Sequence, residues 1–176
     1  MRWYLLTAAL IMSSANSAGN LAWFLTARLE PNESTLAGIP LSELDATLKA
    51  VKIPTLADLP EGDDIGIADI RCGDVYFDRI EDLTGDGINE RVLSGAYLAK
   101  DGSTGRFIAI FDWRSPFDPA KLFFHKVPTE PGFAFLERQN GELNWSFCLY
   151  CGSFARIQWN GITFEIPPDI GDEGDG

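Results

Sequence analysis

The sequence predicts a mainly β, α+β fold: an antiparallel meander sheet or sandwich with a small helical N-terminal part. Three observations predict it. From about residue 65 onward, short runs rich in aromatic and β-branched residues follow one another between turn residues. Two of their boundaries, "QNGE" at 139–142 and "WNGI" at 159–162, contain Asn-Gly, the strongest short hairpin signal. Before residue 65, only "PLSELDATLKAV" carries a clear helix signal. With 176 residues, 45% of them hydrophobic and 12% aromatic, one globular domain with a real core is expected.

Taken in order, the chain begins with a short positive n-region at Arg2, an apolar h-region from Trp3 to Met12, and small residues ending in "ANSA" at 15–18. That order is the pattern of a secretory signal peptide spanning 1–18. The apolar run is shorter than the roughly 20 residues a bilayer-spanning helix needs, and no second candidate span follows. The globular domain is expected over 19–166. "LAWFLTARLE" alternates well enough for a strand, with a helix as the alternative. A helix is expected over about 42–52, capped by Ser42, with Leu44, Leu48 and Val51 on one face and Pro54 as its stop. "IPTLADLPEGDD" then reads as a linker.

The β-rich part runs over 65–166. Its expected strands are "DVYFDRIEDL", "RVLSGAYLA", "GRFIAIFDW", "KLFFHKV", "GFAFLE", "ELNWSF", "SFARIQW" and "ITFEI". "RFIAIF" is apolar on both parities and should lie centrally. In "ELNWSF", Leu143, Trp145 and Phe147 alternate with Asn144 and Ser146, as a sheet with one wet face requires. The tail at 167–176 is acidic, glycine-rich and expected to be disordered.

The formal net charge is −12, and signal cleavage would make it one unit more negative by removing Arg2. Nucleic acid is therefore not an expected partner, and cationic ligands fit better. One stretch, "EDLTGDGINERV" at 81–92, crowds carboxylates into a tight turn, where Asp82, Asp86 and Glu90 recur every four residues around Gly85 and Gly87. On a helix these carboxylates would repel one another, and two central glycines disfavour a helix anyway. Calcium, a hard cation taking six to eight oxygen ligands, gives a reason to gather them. Counting from Asp82, the odd positions are Asp82, Thr84, Asp86, Ile88 through its carbonyl, and Glu90, with Gly87 at the sharp turn. An EF-hand would need a bidentate glutamate at the twelfth position, where Leu93 stands. The alternative is an ordinary Asp/Gly hairpin turn without an ion.

The stretch "FDRIEDLTGDGINERVLSGA", at about 77–96, resembles a single strand–calcium loop–strand unit of the FG-GAP and VCBS-type repeats. Their loop reads D-x-[ND]-G-D-G-x-x-[DE]. The resemblance implies a structural calcium held by Asp82, Thr84, Asp86, Ile88 and Glu90. It departs from the pattern at Thr84, where Asn or Asp is usual. No second copy is present, so no propeller is implied.

Of the three cysteines, Cys148 and Cys151 form C-x-x-C, followed by a turn and a strand and not by the helix a thioredoxin-like site requires. In an exported protein a Cys148–Cys151 disulfide is expected, with Cys72 unpaired and buried. A Cys72 link to one of the pair is the competitor. Zinc bound by Cys72, His125, Cys148 and Cys151 has only one suitably spaced pair. His125, the only histidine, is a possible general base or an ordinary sheet residue. No catalytic motif stands out, and "EGDDIGIAD" at 61–69 could supply paired carboxylates without singling any out. The functional expectation is an exported, secreted or periplasmic calcium-binding protein acting as a non-catalytic binding or interaction module. Its partner would be a protein or another extracytoplasmic ligand. The alternative is an exported hydrolase with paired carboxylates and a structural calcium.

Overall fold

The computed structural model describes residues 22–62, 66–139, 141–149 and 154–167. The expected signal peptide and acidic tail lie outside the described residues, apart from Pro167. Among the described residues, no helix is long and apolar enough to cross a membrane.

The N-terminal part holds α1 (Trp23–Thr26), β1 (Thr35–Leu36), β2 (Ile39–Pro40), α2 (Leu41–Leu44), β3 (Leu48–Lys52), a 3₁₀ turn (Leu56–Asp58) and α3 (Ile67–Cys72). Then come β4 (Val75–Tyr76), β5 (Asp78–Glu81), β6 (Glu90–Ala99), β7 (Thr104–Asp112) and β8 (Ala120–Pro128). The last four strands are β9 (Phe135–Gln139), β10 (Glu142–Ser146), β11 (Ala155–Trp159) and β12 (Phe164–Glu165). Every pairing between them is antiparallel. The chain is thus the mainly β, antiparallel protein its sequence predicts.

One sheet runs β3-β6-β7-β8, with β5 also on β6; a second runs β12-β11-β10-β9-β4. The first sheet is apolar on both faces because both are covered. Leu93, Tyr97, Phe107, Ala109 and Phe111, with Leu48 and Val51 of β3, pack against Leu36, Leu41 and Leu44 of the N-terminal part. Val92, Ile108 and Ile110 face the second sheet's Leu136, Leu143, Trp145 and Ile157. Phe107 to Phe111 are fully buried, so "RFIAIF" is the central strand its pattern predicts. The two sheets also share a polar bond: Trp145 Nε1 donates to the buried Ser94 Oγ at 2.9 Å. The Ser94 hydroxyl in turn lies 3.0 Å from the Ala134 carbonyl.

The chain passes between sheets within a single extended segment. β4 pairs with β9 in the second sheet, and β5 pairs with β6 in the first. The buried Phe77 lies between them, its carbonyl accepting the Ser94 amide at 2.8 Å. β3 and β5 share one edge of β6: β3 takes Ala96–Ala99 and β5 takes Glu90–Leu93. Gly95 sits where the two meet. A Cβ there would lie 2.1 Å from the Lys52 carbonyl oxygen.

Three expectations are corrected. The helix expected over 42–52 is a single turn, Leu41–Leu44, followed by strand β3. Asp45 stops it: its backbone is extended, and its carboxylate accepts the Thr47 amide at 2.8 Å and hydroxyl at 2.6 Å. Lys126 Nζ, 2.8 Å away, ties the same carboxylate to β8. Burial opposes ionisation of Asp45, but the bonds from Lys126 and Thr47 outweigh it and hold its carboxyl at about 2. The wet face expected of β10 fails at Asn144, which is 2% exposed with its side-chain oxygen unpartnered, while Ser146 is only half-buried. Cys72, expected to be buried, is free and exposed at the end of α3.

Of the Asn-Gly signals, Gln139 pairs with Glu142, which gives a two-residue hairpin with Gly141 at positive φ. "WNGI" opens a longer loop instead. Trp159 pairs with Phe164, and the Asn160 side-chain oxygen accepts the amides of Ile162 and Thr163, both at 3.0 Å.

Candidate cation-binding loop

The hairpin from β5 to β6 carries the acidic loop. Gly85 and Gly87 have φ of +79° and +83°, left-handed values that suit glycine at both bends. These bends turn successive backbone amides inward onto Asp82. Its two oxygens accept the Gly85 amide at 2.6 Å and the Gly87 amide at 2.9 Å. The Gly87 bond, with help from the other loop amides, holds the Asp82 carboxyl below its ordinary range, so it stays ionised. Asp86 accepts the Ile88 amide at 2.8 Å.

Glu90 begins β6 at 3% exposure, and its carboxylate accepts the Leu83 amide at 2.8 Å. Burial pushes its carboxyl upward, and the charges of Asp86 and Asp82 add to that. Thr84 Oγ1 is buried with no hydrogen-bond partner. One cation serves the loop from outside: Arg114, bonded through Nε to Asp112 at 2.7 Å, feels the charges of Asp86 and Glu90. The Trp113 amide, bonded to the Asn89 carbonyl at 3.0 Å, fixes that connection beside the loop.

All five residues singled out from the sequence, Asp82, Thr84, Asp86, Ile88 and Glu90, thus sit on one short hairpin loop. Chemically the set suits a hard cation: three carboxylates, an orphaned buried hydroxyl and a backbone carbonyl. The carboxylates already accept loop amides, but each oxygen keeps a second lone pair. Among the described residues no three His, Cys, Asp or Glu side chains are drawn together as a metal cluster.

The other candidates lie apart from this loop. His125 is half-buried on β8, edge-on to Trp145 at 5.7 Å, and burial lowers its pKa. Cys151 and residues 63–65 of the "EGDDIGIAD" cluster lie outside the described residues. Two buried polar residues escaped the sequence reading. Arg106 and Ser94 each share strand parity with inward-facing neighbours, Ile108 and Val92, and that parity was the available signal. Comparison with protein-family models, curated proteins and solved structures finds no match to this chain, so the FG-GAP-like resemblance rests on residues 77–96 themselves.

Proposed function

We propose that the protein is an exported calcium-binding module that acts by binding a partner and not by catalysis. The observation that carries the reading is the buried Glu90 carboxylate set under a loop of two further acids, beside the partnerless Thr84 hydroxyl. Uncompensated negative charge at a buried site is costly, and a bound cation offsets it. Asp82, Thr84, Asp86, Ile88 and Glu90 would hold the ion, which supplies positive charge and no reaction step. The partner is proposed to be a protein or another extracytoplasmic ligand. What supports a binding role is the β7–β8 connection, which is tied to the loop where the Trp113 amide meets the Asn89 carbonyl and which presents Phe117 at 95% exposure.

With three carboxylates and a threonine, the site should resemble weak extracellular calcium modules, with Kd on the order of 10⁻⁴–10⁻³ M. At millimolar calcium the linked stabilisation is then about 0.4–1.4 kcal/mol. Calorimetric melting in calcium and in chelator tests this. Asp86→Ala is expected to abolish the calcium shift without lowering stability in chelator. An equal shift in wild type and variant would make the loop an ordinary acidic turn.

A Cys148–Cys151 disulfide belongs to the same proposal. The free state of Cys72 supports it, because it removes the competing pairing. Non-reducing peptide mapping should recover Cys148 and Cys151 in one linked peptide. A bridge to Cys72 would overturn the assignment.

A further inference from the structure

Arg106 lies on β7 with its side chain directed between the sheets, and only 7% of it is exposed. Its Nε is sealed from solvent without a hydrogen-bond partner, and among the described residues no acceptor is bonded to the guanidinium. The Phe147 ring covers one face, 4.8 Å from Cζ. Gly132 makes room on another side: a Cβ there would come within 2.6 Å of a terminal guanidinium nitrogen. The nearby charges do not satisfy it. Arg28 is close enough to repel it, and Glu130, which attracts it, is engaged by Arg28 Nε at 2.9 Å. Burial is the main cause lowering the Arg106 pKa, which marks a cation held without its counterion.

We infer that Arg106, with Arg28 at its rim, forms a binding site for a small carboxylate, separate from the acidic loop. With Nε sealed and one face stacked on Phe147, the terminal guanidinium N–H groups remain for a ligand, and the fork they form matches the two oxygens of one carboxylate. Glu130 at the rim disfavours a second negative charge, which favours a monoanion over phosphate. Phe147 offers an apolar wall for the organic part of the acid.

The test is titration of the whole protein with sodium acetate, sodium benzoate and inorganic phosphate against sodium chloride at matched ionic strength. Melting temperature and calorimetric heat are the readouts. The carboxylates are expected to raise the melting temperature saturably above chloride. The shift should vanish in Arg106→Leu, which without added anion should melt no lower than wild type, because it removes an unpaired buried charge. Arg28→Ala should weaken carboxylate binding several-fold, read as the ratio of affinities and not as a change in anion-free melting. Carboxylates that act no differently from chloride would overturn the site, as would a shift that survives in Arg106→Leu. Phosphate binding as tightly as carboxylate would overturn the ligand class. Should Arg106→Leu not fold, unchanged affinity in Arg28→Ala overturns the proposal.

Discussion

Gly95→Ala is expected to lower the melting temperature by about 6–12 °C, equivalent to about 3 kcal/mol for a domain of this size. The added methyl would lie 2.1 Å from the Lys52 oxygen, 3.0 Å from the Lys52 carbonyl carbon and 3.3 Å from the Ile53 Cα. All three are backbone atoms, so no rotamer change relieves the clash. β3 ends at Lys52, and β5 covers the other half of the same β6 edge. Moving the 52–53 backbone away therefore loosens β3, whose Leu48 and Val51 belong to the core. Differential scanning calorimetry checks this. A shift below about 2 °C would mean that the crossing backbone yields freely.

Glu90→Gln is expected to raise stability in chelator by about 1 kcal/mol and to eliminate the calcium response. The amide keeps an oxygen to accept the Leu83 N–H while removing a buried charge that faces Asp82 and Asp86. The sign of the pH dependence follows from the raised carboxyl. Between its ordinary value and its higher folded value, the folded chain keeps a proton that the unfolded chain has released. Stability from this group is therefore fully present below the unfolded value and lost as pH rises through the folded one. A cation must displace that proton, so calcium affinity should tighten with rising pH across the same window and level off above it. Melting curves with and without calcium, taken across the acidic range, should show this slope as the difference between wild type and Glu90→Gln, since carboxyls held low, such as Asp45 and Asp82, titrate in both. A calcium shift retained in the variant would remove Glu90 from the site.

The strands were legible because period-two patterns and turn residues are local signals, and "GRFIAIFDW" or "KLFFHKV" needs no tertiary context to read as extended. The span 42–52 misled for a definite reason. Leu44, Leu48 and Val51 are spaced as on a helix face, yet a register shift between Leu48 and Ala50 resets the parity of β3, so those spacings also suit a strand. Asp45 decides between the two through Thr47 and Lys126, and the Lys126 contact is invisible to a local reading. Asn144 and Arg106 show the same limit. Alternation places a side chain on a face, but what covers that face comes from distant segments. The acidic loop was readable as a unit because all its donors lie within nine consecutive residues. The orphaned Thr84 hydroxyl and the buried Glu90 carboxylate needed coordinates.

The sheet switch at Phe77 bears on the order of assembly. β4 has no partner until β9 is present, since Tyr76 pairs with Leu136. β3 likewise waits for the far half of β6, since Leu48 pairs with Ala99. No amino-terminal fragment that ends before β9 can close both layers, so an emerging chain stays incomplete until most of it has been made. Such non-local pairing makes for slow folding, because loops must close before their contacts form. A chain built this way remains threadable through a narrow channel for longer than one whose first half folds alone.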